Sequence, residues 1–259
     1  MTDLIWATGD IHGDAKRFST YAFPEQKEMT KNDVVLQLGD FGLIWDCRGE
    51  NDSEEYWLNW LEDKNFTLCF CDGNHENFDR LYQYPVKEWN GGKVHEIRPH
   101  VLHLMRGEVF NIQDKKIFVM GGASSHDIQD GILDPAEYKD DYELYKAYKK
   151  KEDRGEYMYR IKGRSWWDQE LPTEEEMQNG LNNLEKCGNK VDFMITHSPS
   201  ASGIDLLGNG FYEQDKLTKY LEKIKLENDI GVHIAGHMHI NKKLNEKDFV
   251  LYEQIIRLL

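Results

Sequence analysis

Cysteine is scarce in this sequence. The 259 residues include four cysteines, and none of them forms a C-x-x-C pair. Such a set supplies neither a disulfide framework nor a structural zinc site built on thiolates. Cys69 and Cys71 alternate with Phe70 in "TLCFC", as small residues of a buried strand do. This cysteine usage is typical of a reducing compartment, and we expect a cytoplasmic protein.

Long apolar runs are also missing. No window approaches the ~18 consecutive apolar residues of a membrane-spanning helix. The first ten residues, "MTDLIWATGD", contain no basic segment followed by a long apolar stretch, which is the pattern of a secretory leader. The sequence therefore predicts no membrane partner and no targeting segment.

Basic residues are fewer than acidic residues. Lysine and arginine number 32 against 47 aspartate and glutamate residues, which gives a formal net charge of −15. This charge repels nucleic-acid backbones and anionic lipid at long range, and it disfavours long nucleic acid as a partner. A small anionic substrate remains compatible with a site whose local charge is positive. The sequence does not identify any protein partner.

Aromatic and aliphatic residues are plentiful enough to build a large core. The chain is 39% hydrophobic and contains 11 Phe, 13 Tyr and 7 Trp, so the burial of these side chains can stabilise a fold. We predict a single domain over residues 1–259 with a helical insertion at about 128–158. The insertion contains Pro135 near a helix start, tyrosines at helical spacing and a closing Gly155. It is either a lid over the site or a solvated or partner-docking surface.

Short apolar runs recur along the chain, and each is followed by Gly, Asp, Asn or His. These runs predict strands that give way to loops: "LIWATGD", "DVVLQLGD", "FTLCFCDGN", "KIFVMGGA", "VDFMITHS" and "GVHIAGH". Amphipathic helices separate several of them, with capping boxes predicted at Asp52 with Glu55 and at Thr173 with Glu176. Other strands, including "FVLYEQIIRLL" at the end, follow without long helices. The sequence thus predicts an α/β fold with mixed sheets.

Polar side chains collect at the ends of these predicted strands. They are Asp10, His12, Asp40, Asn74, His197, His237 and His239. Because ligands bind at the carboxyl ends of strands in α/β sheets, we expect these side chains to converge. Imidazole with carboxylate suits Mn, Fe, Zn or Ni, and seven ligands exceed what one ion takes. Two ions sharing one aspartate would leave positions open for water and substrate. A single histidine at a strand end is more often structural, but the joint occurrence favours the metal interpretation.

Five short sequence motifs contain these polar residues, and they occur in the order found in a known family. The set "GDIHG", "GDFG", "GNHE", "THSP" and "GHMH" resembles the calcineurin-like metallophosphoesterases, a superfamily of binuclear metallophosphatases and phosphodiesterases. The resemblance implies a four-layer α-β-β-α sandwich of two mixed sheets with outer helices. It also implies a ligand assignment. The first ion would be bound by Asp10, His12 and His239, the second by Asn74, His197 and His237, and both by Asp40.

The resemblance further implies a metal-dependent phosphoester hydrolase. A hydroxide bridging the two ions would attack in line the phosphorus of a small phosphomonoester or phosphodiester. His75, beside Asn74 in "GNHE", is the family's candidate general acid for the leaving group.

Three alternatives remain open. A nuclease or a polynucleotide end-processing phosphatase is compatible with the family. A phosphoprotein phosphatase is disfavoured because the second block, "GDFGLIWD", lacks the Asp and Arg of the GDxxDRG pattern, and because Asp72 stands where that branch has Arg. An inactive metal-binding scaffold is disfavoured because every ligand position is filled.

Substrate contacts are sought outside the five blocks. His126 in "GGASSHD" follows a predicted strand and could line the cleft, and Arg160 and Arg164 in "YRIKGRSWWDQELP" could clamp a phosphate. The neighbouring tryptophans either stack on a substrate or pack the insertion. The remaining histidines are predicted to be structural: His95, His100, His103 and His233.

Overall fold

The computed structural model describes residues 4–208 and 212–259, and the elements below are those of the described residues. The strands are β1 (Ile5–Thr8), β2 (Val34–Gln37), β3 (Thr67–Phe70), β4 (Val86–Trp89), β5 (Gly92–Arg98), β6 (Val101–Leu104), β7 (Val109–Ile112), β8 (Lys115–Met120), β9 (Ile132–Leu133), β10 (Arg160–Ile161), β11 (Lys190–Thr196), β12 (Asp229–Ala235), β13 (Lys242–Lys243), β14 (Asp248–Val250) and β15 (Ile255–Arg257).

Helices lie between several of these strands. The α-helices are α1 (Asp52–Glu62), α2 (Phe78–Leu81), α3 (Asp141–Glu152), α4 (Glu174–Lys186), α5 (Ala201–Gly208) and α6 (Lys216–Glu227). Short 3-10 helices occupy Ala15–Phe18, Pro24–Glu28, Pro135–Glu137 and Asp168–Glu170. No helix of the described residues is long and apolar enough to cross a membrane.

Two mixed sheets form the centre of the molecule. The first has the strand order β15-β1-β2-β3-β6-β5-β4, and the second has the order β13-β14-β12-β11-β8-β7. In the first sheet β1, β2, β3 and β6 run parallel, whereas β15, β5 and β4 pair antiparallel to their neighbours. In the second, β8, β11, β12 and β14 run parallel between antiparallel edges.

Apolar side chains fill the space between the sheets and cover both outer faces. The inner core joins residues such as Leu36 of β2 with Ile195 of β11. Helix α1 covers the outer face of the first sheet through Leu58 and Leu61, and α4 and α6 cover the second. Each buried aliphatic side chain contributes ~1.5–3 kcal/mol relative to exposure. The layers are therefore α-β-β-α, and the predicted fold is confirmed.

The capping boxes show where local sequence decides a helix start and where it does not. The predicted box of α4, Thr173 with Glu176, is confirmed. The box predicted for α1 is wrong by one residue, because the N-cap is Asn51 and the partner is Glu54. The carboxylate of Glu54 also accepts the Trp45 N–H and pairs with Arg80. These tertiary contacts select the register.

The last stretch of the chain differs from the single strand predicted for it. It forms β14 in the second sheet and β15 in the first. Between them the Tyr252 carbonyl accepts the Gly9 N–H at 3.1 Å, next to the "GDIHG" turn. The segment from β14 to β15 therefore connects the two sheets next to the candidate ligands.

The predicted insertion is partly helical. Helix α3 holds Tyr142, Tyr145 and Tyr148, while Tyr138 lies before it. The short strands β9 and β10 pair in parallel at the two ends of the insertion. The chain thus returns beside its point of departure at Arg160, the first residue of β10.

Candidate metal centre

The parallel strands of the first sheet bring three candidate ligands to one edge. Thr8, Gln37 and Phe70 end β1, β2 and β3 at the same register level. Asp10, Asp40 and Asn74 follow these residues within a short loop in each case, so their side chains meet where the carboxyl ends of the strands meet. All three are nearly fully buried.

The second sheet supplies three histidines to the same edge. Thr196 of β11 and Ala235 of β12 are paired at the ends of their strands. His197 follows the first at once, and His237 and His239 follow the second. The candidate ligands predicted from the sequence come together only because the carboxyl ends of the two sheets meet at one edge.

Candidate ligands adopt an unusual backbone conformation. His12, Asp40, His237 and His239 have φ values of 47°, 52°, 67° and 46°. A non-glycine residue with positive φ is uncommon, and such strain persists where surrounding structure holds it, often at functional sites. The sharp turns at these positions direct the side chains back over the strand ends.

Two glycines let the backbone approach the carboxylates closely. A Cβ atom at Gly73 would lie 2.0 Å from Asp40 Oδ1, and one at Gly236 would lie 2.5 Å from Asp10 Oδ1. Any larger residue would displace the carboxylate that it touches. The glycines of "GNHE" and "GHMH" are therefore required by the packing of the centre.

The ligand loops are hydrogen-bonded to one another. The Asp40 carbonyl accepts the N–H groups of Ile11 and His12 at 3.2 and 2.8 Å. The buried Glu76 carboxylate accepts the Phe41 N–H at 2.7 Å, which ties "GNHE" to "GDFG". Burial raises the pKa of Glu76, and the charge of Asp40 adds to that effect. Sequence reasoning had given Glu76 no role, although it belongs to a motif already identified.

One cluster consists of Asp10, His12, Asp40 and His239, whose ligand atoms all lie within 4.8 Å of one another. The Nε2 atoms of His12 and His239 are 2.9 Å apart. Asp10 Oδ2 is buried without a hydrogen-bond partner among the described residues, and His239 Nε2 lies 3.2 Å from it. A buried carboxylate oxygen facing two imidazole nitrogens fits a divalent cation in chemistry and in geometry.

A second cluster consists of Asp40, His197 and His237. His197 Nε2 lies 3.3 Å from Asp40 Oδ1 and 3.3 Å from the side-chain oxygen of Asn74. The other ring nitrogen of His197 contacts the Leu38 carbonyl at 2.6 Å. That contact holds a proton on Nδ1, so Nε2 is the nitrogen that can bind a metal when the ring is neutral. The two clusters share Asp40.

Negative charge dominates the centre. Burial alone would lower the pKa of His197, but the carboxylates of Asp40 and Asp10 outweigh it and raise that pKa to about 10. Burial would likewise raise the pKa of Asp40, yet the neighbouring His197 holds it below its ordinary value. The two carboxylates thus keep the buried imidazole of His197 protonated. A cation bound at Nε2 would displace that proton.

The side-chain amide of Asn74 is oriented by a serine from another segment. Its Nδ2 donates to the hydroxyl of Ser125 at 3.3 Å, which leaves the amide oxygen facing His197. The Ser125 N–H donates in turn to the buried carboxylate of Glu170 at 3.2 Å. Sequence reasoning missed both residues, and the only signal was the presence of Ser125 in "GGASSHD".

His75 lies at the edge of the centre beside an arginine. Its backbone N–H donates to Asp40 Oδ1 at 2.8 Å, and its ring faces a guanidinium nitrogen of Arg160 at 3.4 Å. Asp127 binds the guanidinium, with Nε at 2.9 Å from the carboxylate. Burial lowers the pKa of His75, Asp40 opposes that effect, and Arg160 reinforces it. Asp127 is a further residue that the sequence did not reveal.

The other two residues predicted to contact substrate, His126 and Arg164, lie in different places. His126 stands beside the second cluster, with its Nε2 2.8 Å from that of His237. Arg164 pairs instead with Asp141 at the start of α3 and lines a separate depression next to Gly42. The structure therefore brings His126 and Arg160 to the centre and places Arg164 elsewhere.

One of the two tryptophans with an open role, and the four histidines predicted to be structural, make contacts with other parts of the fold. Trp167 is buried and donates to Asp79, so it packs the fold and does not stack on a substrate. The four remaining histidines pair with nearby side chains: His95 with His103, His100 with Glu62, and His233 with Asp248.

The fold brings together clustered Asp and His residues that suit divalent cations at the shared edge of two mixed sheets. A family model described as calcineurin-like phosphoesterase matches residues 4–241, and no curated protein matches the chain. The chain belongs to the calcineurin-like phosphoesterase family. It is accordingly a phosphoric ester hydrolase, and the family with the clustered Asp and His residues indicates divalent metal ions as its cofactors.

Proposed function

We propose that this protein hydrolyses a small phosphomonoester or phosphodiester at a centre of two divalent transition-metal ions. The observation that carries the proposal is the sharing of Asp40 between two clusters. The proposed ligands are those predicted from the sequence: Asp10, His12 and His239 for one ion, Asn74, His197 and His237 for the other, and Asp40 for both. Their nitrogen and oxygen donors suit Mn, Fe, Zn or Ni.

The bound ions would supply an acidified water and neutralise charge on the phosphoryl oxygens. The protein's own groups have complementary roles. Arg160, fixed by Asp127, can donate a hydrogen bond to a phosphoryl oxygen beside His75. A phosphate in contact with both side chains favours the protonated form of His75 and so opposes the effect of burial on its pKa. His75 can then give a proton to the leaving oxygen.

Compact substrates fit the charge of the molecule better than polymers do. The net charge of −15 opposes a long polyanion. Asp127 engages the guanidinium of Arg160, so that group adds little free positive charge. A nuclease or end-processing activity is the second candidate, because a short polynucleotide end needs no extended basic track. Phosphoprotein phosphatase activity and an inactive scaffold are less well supported.

A substrate panel tests the proposal. The purified protein is loaded separately with Mn, Fe, Zn and Ni and assayed with p-nitrophenyl phosphate, its bis-ester, a mononucleotide, a short oligonucleotide and a phosphopeptide. We expect metal-dependent turnover of the small esters and little or none of the phosphopeptide. Turnover of the oligonucleotide alone would favour the second candidate. Absence of turnover with every metal would contradict hydrolysis altogether.

A further inference from the structure

His126 lies against one of the proposed ligands of the second ion. Its Nε2 atom is 2.8 Å from the Nε2 atom of His237, and the two ring centroids are 4.8 Å apart with the planes at 34°. In a contact this short, one imidazole nitrogen carries a proton and the other accepts it. The direction of this hydrogen bond depends on which nitrogen of His237 is left for a cation.

The position of the His237 ring fixes that direction. The second cluster of the described residues includes His237 together with Asp40 and His197, and it does not include His126. Because Nε2 of His237 faces His126, Nδ1 is the nitrogen left for a cation in the cluster. A neutral imidazole that binds a cation through Nδ1 carries its proton on Nε2. In the metal-bound protein His237 is therefore the donor, and His126 is the acceptor.

The other two ligands proposed for the second ion alone have partners of the same kind. The side-chain amide of Asn74 donates to the Ser125 hydroxyl at 3.3 Å, and Nδ1 of His197 faces a backbone carbonyl at 2.6 Å. A histidine that binds a metal almost always donates its other ring N–H to such an acceptor. For the His237 ring, the acceptor that the described residues provide is His126.

The loop after β8 holds the His126 ring in this place. On one side of it, Ser124 donates its hydroxyl at 2.6 Å to the carboxylate that caps α6. On the other side, Asp127 accepts a hydrogen bond from Arg160 Nε at 2.9 Å. The Tyr212 ring packs against the imidazole, with the centroids 5.6 Å apart. The acceptor is thus fixed by contacts on both sides of it in the chain.

We propose that His126 is a positioning residue of the metal centre, which accepts the Nε2–H of His237 and so presents Nδ1 of that ring to the second ion. The inference rests on the ligand set of the proposed function. It gives His126 a role through a ligand, in place of the substrate contact predicted from the sequence. The adjacent residues Ser125 and His126 would then orient two ligands of the same ion.

Two substitutions at His126 separate the acceptor from the bulk of the ring. His126→Phe keeps a ring against Tyr212 but removes the acceptor, whereas His126→Gln keeps an acceptor oxygen at similar reach. The affinity of the two metal-binding steps is measured by titration with Mn. In His126→Phe one step should weaken about 10- to 100-fold, as for other residues that support a metal ligand, and in His126→Gln that step should stay close to wild type. Wild-type affinity in His126→Phe, or an equal loss in both variants, would overturn the proposal.

Reference variants identify the step that is weakened. Asn74→Ala removes a proposed ligand of the second ion, and His239→Ala removes one of the first. The step weakened in His126→Phe should be the one weakened in Asn74→Ala, and a match with His239→Ala would overturn the proposal. The matched control is His100→Phe, because His100 pairs with Glu62 at the start of β6. Both steps should keep their wild-type affinity in that variant.

A second variant removes any dependence on how the phenyl ring packs. His126→Ala also lacks the acceptor, and it should show the same weakened step as His126→Phe. A substrate contact has a different signature, since KM for p-nitrophenyl phosphate would rise while both metal affinities stayed unchanged. That result would overturn the proposal. Absent turnover in the wild type contradicts the proposed hydrolysis, while the metal affinities still decide the role of His126.

Discussion

Asp40 faces both residue clusters with a single carboxylate. Its Oδ2 lies 3.8 Å from His12 Nε2, and its Oδ1 lies 3.3 Å from His197 Nε2. The residue is almost completely buried, has a positive φ and lies against the backbone of Gly73. These contacts hold the carboxylate between the two clusters that share it.

His75 provides a prediction about proton transfer. His75→Gln should keep its metals, since no proposed ligand is removed, but lose turnover by about 10²-fold or more, as general acid catalysis implies. The loss should be larger for an alkyl ester than for p-nitrophenyl phosphate, because a basic alkoxide needs the proton more. The measurement is kcat on both esters, with metal content as the control. Equal losses on the two esters would contradict a role as general acid.

Ser125 provides a prediction about metal affinity. Ser125→Ala removes the acceptor of the Asn74 amide N–H and should weaken binding of one ion about 10-fold, the lower end for supporting residues of metal ligands. Titration with Mn should show one weakened and one unchanged site. Ser124→Ala is the matched control, because Ser124 bonds Asp215 and not a proposed ligand. Wild-type affinity in Ser125→Ala would show that Asn74 is oriented without the serine.

Predictability from sequence at this scale depends on the distance along the chain. His12 and Glu76 belong to the same short motifs as Asp10 and Asn74, so motif spacing places them near one another. Ser125 is separated from Asn74 by 51 positions, and Glu170 is farther still. Nothing in a local pattern states that two such segments will meet. Only the packing of the sheets determines that contact.

At the scale of elements, helix α3 is the part of the insertion most open to test. Its apolar contact is small, since Leu144 is the one residue of α3 classed as buried. None of its residues lines the pocket that contains Asp40, Asn74 and His75 or the cleft on the other side of His126 and His237. The geometry therefore favours a surface or docking role for the helix over a lid.

Replacing residues 135–156 with a short Gly/Ser linker tests that role. The strands β9 and β10 and the Arg160–Asp127 pair are retained, so we expect unchanged metal content and unchanged kcat/KM for p-nitrophenyl phosphate. The relative turnover of the esters in the substrate panel should also be unchanged. Altered selectivity with intact metals would show that α3 acts as a lid after all.

The elements themselves were predictable where periodicity is strong. The box at Thr173 and the buried face of α6 with Leu217, Leu221 and Ile224 follow from sequence alone. The start of α1 does not, because the buried Glu54 has partners in "GLIWD" and at Arg80. Likewise the division of the last stretch between two sheets depends on pairing with β12 and with β1, and β1 lies near the other end of the sequence.

For the whole molecule, the net charge sets a condition on phosphate binding. A protein with a net charge of −15 can attract a phosphate only where cations outweigh Asp10 and Asp40. The order of the motifs along the chain was sufficient to predict the four layers, and it places the candidate ligands at one shared edge of the sheets. It could not predict the cleft, whose wall comes from loops after β8 and β11 and from the start of α6.

The count of bound metal ions tests the central claim most directly. The wild-type protein is saturated with Mn or Zn at neutral pH, freed of unbound metal and analysed for metal and protein. We expect two ions per chain, and we expect Asp40→Asn to lose affinity for both, because one carboxylate serves both clusters. One tightly bound ion per wild-type chain, or an Asp40→Asn variant that loses only one ion, would contradict a shared centre.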